Sequence, residues 1–206
     1  REFEPGKILM SAIKFNEVLF KDTLLQHVRK SGLEIAYPQL LSPLLEKARI
    51  LWQTGTLSRA QEQFIRNTIR QIIIIEDAEL VSKEDSTKGS VAMINTSDNH
   101  FENNFLFYKY MLKKRGFDVI FTGGILPASE VIEIHKLKTF DYLVVNSSAF
   151  DFARKKIGYF STIGKSLLIR KIILTDYPDL NEKALTDNIL ITRNPAEFRK
   201  IIASLR

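Results

Sequence analysis

Cysteine is absent from the 206 residues. That excludes a disulfide framework, a thiol nucleophile and any zinc site built on cysteine. It also makes a reducing cytoplasm the natural setting. There is no long uncharged apolar span, so no transmembrane helix and no membrane role are expected. Arg1-Glu2-Phe3-Glu4 does not resemble a secretion signal. Internal repeats and low-complexity tracts are missing too. The formal net charge is +6, but no stacking aromatics interleave the basic residues, as a single-strand nucleic-acid binder would need. Much of the excess lies in Lys113-Lys114-Arg115 and Arg154-Lys155-Lys156. The first of these closes a predicted helix, where cations complement the carbonyl end of the dipole. His27 and His135 have no paired carboxylate or nucleophile at a recognisable spacing, and Gly123-Gly124 is no phosphate loop. No catalytic residues are expected, and the chain reads as something other than an enzyme.

What is present is ordinary globular composition, 45% apolar and 26% charged, in a chain long enough for one large domain or two small ones. The polar segment Ser82-Lys-Glu-Asp-Ser-Thr-Lys-Gly-Ser90 separates two hydrophobic periods. Before it, apolar residues recur at helical spacing. Asn16–Ser31 places Val18, Leu19, Leu24, Leu25 and Val28 on one side, and Gly32 stops the helix. Tyr37–Trp52 carries Leu40, Leu41, Leu44, Leu45, Ala48 and Leu51. Ser58 then caps a long helix to about Val81, which keeps the β-branched run Ile72–Ile75 helical. With a helix around Lys7–Phe15, residues 1–82 form a bundle of four-helix type.

After the linker, 83–89, the pattern changes to α/β. Val91–Asn95, Asp118–Thr122, Tyr142–Val145, Lys171–Thr175 and Asn188–Thr192 read as short strands. Helices are expected at 100–115, 128–138, 149–158, near 180–186 and over Pro195–Leu205. Alternation of this kind predicts a Rossmann-like, five-stranded parallel sheet over 90–206, in the flavodoxin order 2-1-3-4-5.

The first strand ends in Asn95-Thr96, and Asp98-Asn99-His100 follows before the next helix. A His on that turn stands at the carboxyl end of the sheet, where open α/β folds bind ligands. A carboxylate two residues earlier can hold one ring nitrogen and aim the other at a metal.

A helical bundle followed by a five-stranded α/β domain with Asp-x-His after its first strand resembles the cobalamin-binding module of methionine synthase and corrinoid carriers. The family motif is Asp-x-His-x-x-Gly, then Ser-x-Leu after the third strand, then Gly-Gly after the fourth. The resemblance implies that His100 is the lower cobalt ligand, displacing the cofactor's own dimethylbenzimidazole, and that Asp98 supports it. It also implies that the Ser and glycine positions line a slot for the displaced nucleotide tail. Asn146-Ser147-Ser148 falls at the Ser-x-Leu position, and Thr175-Asp176 where Gly-Gly belongs. Phe117–Gly124, followed by Pro127, resembles the family's second strand and turn.

Nine residues separate Trp52 from Glu62, which resembles the cap of MerR-type regulators with a C-terminal cobalamin-binding region. Those proteins carry Trp, nine residues, then Glu-His; here Gln63 stands for the His. In light-sensing members the Trp and Glu face the adenosyl group, so Trp52, Glu62 and His100 are expected on one cleft. The departures cluster on the cofactor. Asn103 replaces a glycine, Thr175-Asp176 replaces two, Asn146 replaces the first serine with Ser147 as substitute, and Gln53 replaces a cobalt-binding His.

The resemblance implies a sensor and oligomerisation region of a MerR-type transcription regulator. Such a region uses adenosylcobalamin, self-associates, and meets DNA through an N-terminal winged helix-turn-helix that is not in this chain. The substitutions predict weak cofactor retention and no response to light. Two alternatives stand beside this: the same domain with cobalamin binding lost, acting by protein contacts or another ligand, and a corrinoid carrier for a methyltransferase.

Overall fold

The computed structural model describes residues 5–80, 88–95, 102–147, 155–176 and 188–205. The chain divides into two compact units, Arg1–Leu80 and Val81–Arg206. The linker expected at 83–89 lies largely outside the described residues, as does the short helix expected near 180–186.

The first unit is helical: α1 (Pro5–Ile13), α2 (Glu17–Ser31), α3 (Leu33–Ala36), α4 (Ser42–Gln53) and α5 (Arg59–Ala78). A π-helical turn, Tyr37–Leu41, joins α3 to α4 without a break, so four helical rods are present among the described residues. Pro38 has no N–H to donate to the preceding turn, and the ladder widens there, with Ser42 N–H reaching Tyr37 O. The helix predicted to begin at Tyr37 therefore begins four residues earlier, at Leu33. Local chemistry sets the other ends. Asn16 Oδ1 accepts from Leu19 N–H at the start of α2, and Gly32 closes it at φ 79°. Ser58 and Gln61 form a reciprocal capping box at the start of α5, worth about 1 kcal/mol.

Phe20, Leu24 and Val28 are the buried stripe of α2. Val18 and Leu19, expected on that stripe, are exposed instead. They sit in the first turn and a half, where a one-residue rotation of the reading frame moves a side chain by 100°. Ile65, Ile69, Ile72 and Ile73 of α5 complete the core with no exposed surface.

In the second unit the sheet order is β2-β1-β3-β4-β5, all parallel, as predicted. The strands are β1 (Ser90–Asn95), β2 (Asp118–Ile125), β3 (Tyr142–Asn146), β4 (Lys171–Thr175) and β5 (Ile189–Ile191). The helices are α6 (Glu102–Lys114), α7 (Ala128–Leu137), α8 (Lys155–Ser166) and α9 (Pro195–Ser204). β3 is buried at every position, as a central strand covered on both faces must be.

One face of the sheet packs Ala92, Ile94, Leu143, Val145, Ile172 and Leu174 against Val131, Phe160 and Ile163 of α7 and α8. Each fully buried aliphatic contributes roughly 1.5–3 kcal/mol. Helices α6 and α9 pack on each other and supply Tyr108, Leu112, Phe198 and Ile202, all fully buried. The helix predicted at 149–158 is corrected to Lys155–Ser166; residues 148–154 lie outside the described ones. Gly158 and Gly164 weaken the helical signal by about 1 kcal/mol each, and burial of Phe160 and Ile163 overrides it.

Candidate functional site

The carboxyl edge of the sheet holds most of the described candidate residues. Its switch point lies between β1 and β3, whose following helices leave on opposite faces of the sheet. Asp98 and His100, the expected cobalt-binding pair, lie outside the described residues, and the expected cleft involving His100 goes with them.

At the β1–β2–β3 corner a chain of amides runs across three strands. Asn146 Nδ2 donates to Asn95 Oδ1 at 3.1 Å, and Asn95 Nδ2 donates to Gly123 O at 3.0 Å. The relay anchors an irregular stretch of β2, where the pairing jumps from Met93–Phe121 to Asn95–Ile125. Gly123 takes φ 71° there, and both it and Gly124 are exposed. Asn95 carried no signal in the sequence beyond its place at a strand end.

Beside it, Ser147 Oγ donates to Thr175 O at 2.7 Å and Ser147 N–H to the same carbonyl at 3.1 Å. Thr175 Oγ1 donates to Val145 O at 3.4 Å. Both residues are buried. Ser147 and Thr175 thus spend their hydroxyl protons stitching β3 to β4.

The β4 corner is closed by the chain itself. Asp176 follows β4 in the left-handed region, φ 53°, a conformation Asp tolerates better than most non-glycine residues. Its Oδ1 accepts from Asn104 Nδ2 and from Tyr108 OH, both at 3.0 Å. Its buried Oδ2 has no hydrogen-bond partner among the described residues. Burial pushes the carboxyl up to about 6, against the lowering pull of the two donors. The Tyr108 ring lies 4.3 Å, centroid to centroid, from Phe198 of α9, and both are fully buried. Asn103, in the first turn of α6, is buried as well.

In the helical unit, Trp52 is half-buried in the last turn of α4, with the Arg59 guanidinium 5.8 Å from its ring centroid. Glu62 is buried in the first turn of α5 and pairs with Arg66 at 3.6 Å. Gln53 and Gln63 are exposed, and Gln53 Oε1 accepts from Arg49 at 3.3 Å. The two positions at which the sequence departs from the pattern it resembles, Gln53 and Gln63, are therefore solvent-facing amides. Among the described residues no group of three or more His, Asp or Glu could hold a metal ion, and no helix is long and apolar enough to cross a membrane.

No family profile and no curated protein matches this sequence. Solved structures do. The monomethylamine corrinoid protein of Methanosarcina barkeri matches over 97% of both chains, with a TM-score of 0.73 and 14% identity. Weaker matches are the methanol:cobalamin methyltransferase complex of Methanosarcina barkeri and a cobalamin-binding protein of Desulfitobacterium hafniense DCB-2. The first has a TM-score of 0.45 and 15% identity over 96% of this chain and 77% of that one. The second has a TM-score of 0.42 and 14% identity over 100% of both. The likeness is one of fold: helices followed by the Rossmann-like sheet of a cobalamin-binding domain.

The neighbour of like fold is a corrinoid protein, and the β4 corner of this chain does not fit a cobalamin nucleotide tail. Asp176 and Thr175 stand at the positions that the resemblance assigns to slot-lining glycines. Asp176 is tied to Asn104 and Tyr108, and the Tyr108–Phe198 pair fills the space between α6 and α9.

Proposed function

We propose that the chain is a binding and assembly module built on the corrinoid-protein fold, in which insertion of a cobalamin nucleotide tail has been given up. It acts through protein contacts or another ligand, and no catalytic step is assigned to it. One observation carries the reading: the latch of Asp176, Asn104 and Tyr108 across the β4 corner. A slot that must receive a phosphate-bearing tail gains nothing from a mostly buried carboxylate, since two anions in a low-dielectric corner repel strongly.

Two finer settings have their own support. A corrinoid carrier is favoured by the full-length likeness to a monomethylamine corrinoid protein. The sensor and oligomerisation region of a MerR-type regulator is favoured by Trp52 and Glu62 on consecutive helices, with Glu62 buried. Both settings, as the resemblance describes them, retain a corrinoid, and the closed corner opposes both alike; the full-length likeness is to the carrier. In the sensor setting the module would self-associate and serve a DNA-binding partner domain.

The test is to mix the purified chain with adenosylcobalamin in the dark, desalt it and record the visible spectrum. The proposal expects no retained corrinoid absorbance. Stoichiometric retention with the dimethylbenzimidazole displaced would favour the carrier and overturn it.

A further inference from the structure

We infer that the amino edge of the sheet, where the α7–β3 and α8–β4 turns lie side by side, docks on an anionic phospholipid surface. Leu137 and Leu168 enter the lipid, and the cations around them meet the headgroups. The inference is independent of the β4 corner and of any corrinoid. It also bounds the expectation of no membrane role, which rested on the lack of a spanning segment and does not bear on a surface contact.

Leu137 ends α7, and Leu168 stands in the turn between α8 and β4. They are 89% and 98% exposed, the most exposed large apolar side chains among the described residues. Phe140 and Leu167, in the same two turns, are buried, so the leucines protrude from turns that are otherwise packed. The turns are joined: Arg170 N–H donates to Asp141 O at 2.9 Å, and the Arg170 guanidinium pairs with Asp141 at 3.4 Å. The α6–β2 turn is tied to them by the ion pair of Lys138 with Asp118. Over 113–118, 133–141 and 165–171 the chain holds eight basic residues against three acidic ones. Those acids, Asp118, Glu133 and Asp141, pair with Lys138, Lys136 and Arg170, so the edge keeps a net positive charge. Cations at the ends of α6, α7 and α8 complement the helix dipoles, but that does not account for two leucines standing in water among them. A protein partner would need a pocket for each, and leucine is under-represented among interface hot spots. A second copy would set this basic edge against itself. Nucleic acid has no use for the leucines, and Phe117 and Phe140, the aromatics of these turns, are buried and offer no stacking face. A fluid leaflet takes isolated protruding side chains without a matching pocket, and its anionic headgroups draw the cations.

The experiment is co-sedimentation of the full chain with extruded vesicles of phosphatidylcholine, alone or with about 30% phosphatidylserine, at about 0.1 M salt. The expected result is binding about tenfold or more tighter to the serine-containing vesicles. Leu137→Ser combined with Leu168→Ser, checked for an unchanged circular dichroism spectrum, should weaken that binding by about tenfold or more, since two aliphatic side chains no longer leave water. Lys136→Gln combined with Lys165→Gln should weaken it by roughly fivefold for each cation removed. Should the double leucine variant fail to fold, Leu168→Trp serves instead: its added emission should shift to the blue on serine-containing vesicles, and an unshifted emission would overturn the inference. Binding to neither vesicle, or equal binding to both, would overturn it as well. Unchanged affinity in the folded leucine variant would show attraction without insertion and overturn the inference as stated. Binding to a DNA duplex of unrelated sequence as tight as to the vesicles would reveal a general polyanion patch and do the same.

Discussion

At the β1–β2–β3 corner two asparagines bond to each other and to a backbone carbonyl, whereas at the β4 corner a mostly buried carboxyl accepts from Asn104 and from Tyr108, whose ring meets Phe198. Both corners stand at the carboxyl edge of the same sheet, yet their chemistry differs. The amide relay is neutral, so it fixes strand ends without burying a charge. The latch uses a carboxylate whose burial is only partly offset by its two donors, in a backbone conformation that glycine would adopt more freely. One sheet edge can thus hold a neutral amide relay at one corner and a mostly buried acid at the other. The lesson is that fold likeness and ligand likeness are decided by different residues.

Replacing part of the packing should separate the corners most strongly. Phe198→Ala removes one of two fully buried, touching rings and should destabilise the chain by about 3–5 kcal/mol, read by urea denaturation. A loss below about 1 kcal/mol would mean that the space between α6 and α9 collapses easily and that the corner is not a packed plug. Next in size is Asn95→Ala. It removes both bonds of the relay at once, at a cost of about 1–3 kcal/mol, and should raise amide exchange at Gly123–Ile125 and leave β4 protected. Equal loosening at β4 would show the two corners to be one network.

The smallest effect carries a sign. Asp176 has a folded pKa raised from 3.8 to about 6, so between those values the folded chain holds a proton that the unfolded chain has released. Its contribution to stability therefore falls as pH rises through that window, and above about pH 6 the fold bears the full penalty of a buried charge. Asp176→Asn should leave stability unchanged near pH 3.5 and raise it at pH 7.5 by on the order of 1 kcal/mol. A variant less stable at pH 7.5 would mean that the carboxylate, not its burial, dominates the latch.

Much of the sheet was legible because parallel strands buried on both faces read as short apolar runs, and Tyr142–Val145 and Lys171–Thr175 lie within a residue of β3 and β4. Strand order followed from the alternation with helices. Less legible were places where tertiary packing overrides local preference: the π-helical turn at Pro38, and α8 running through two glycines. In the site, the resemblance placed Ser147, Thr175 and Asn146 at one edge, and the structure has Ser147 bonded to Thr175 there, beside Asn146. It did not reveal the latch. Tyr108 and Phe198 look like ordinary core aromatics, and their approach depends on α6 meeting α9 across more than 80 residues of chain. The one available signal was an Asp at a position that the resemblance assigns to glycine. Asp98 and His100, informative in the sequence for their place after the first strand, lie outside the described residues.

The closure of the β4 corner is tested most directly by following the Asp176 side-chain carboxyl carbon through a pH titration by nuclear magnetic resonance, in the parent chain and in Tyr108→Phe. The account predicts an apparent pKa near 6 in the parent and a further rise in Tyr108→Phe, because the lost hydroxyl was stabilising the ionised form. A midpoint near 4 that ignores Tyr108→Phe would contradict it, since it would place Asp176 in water and leave the corner open.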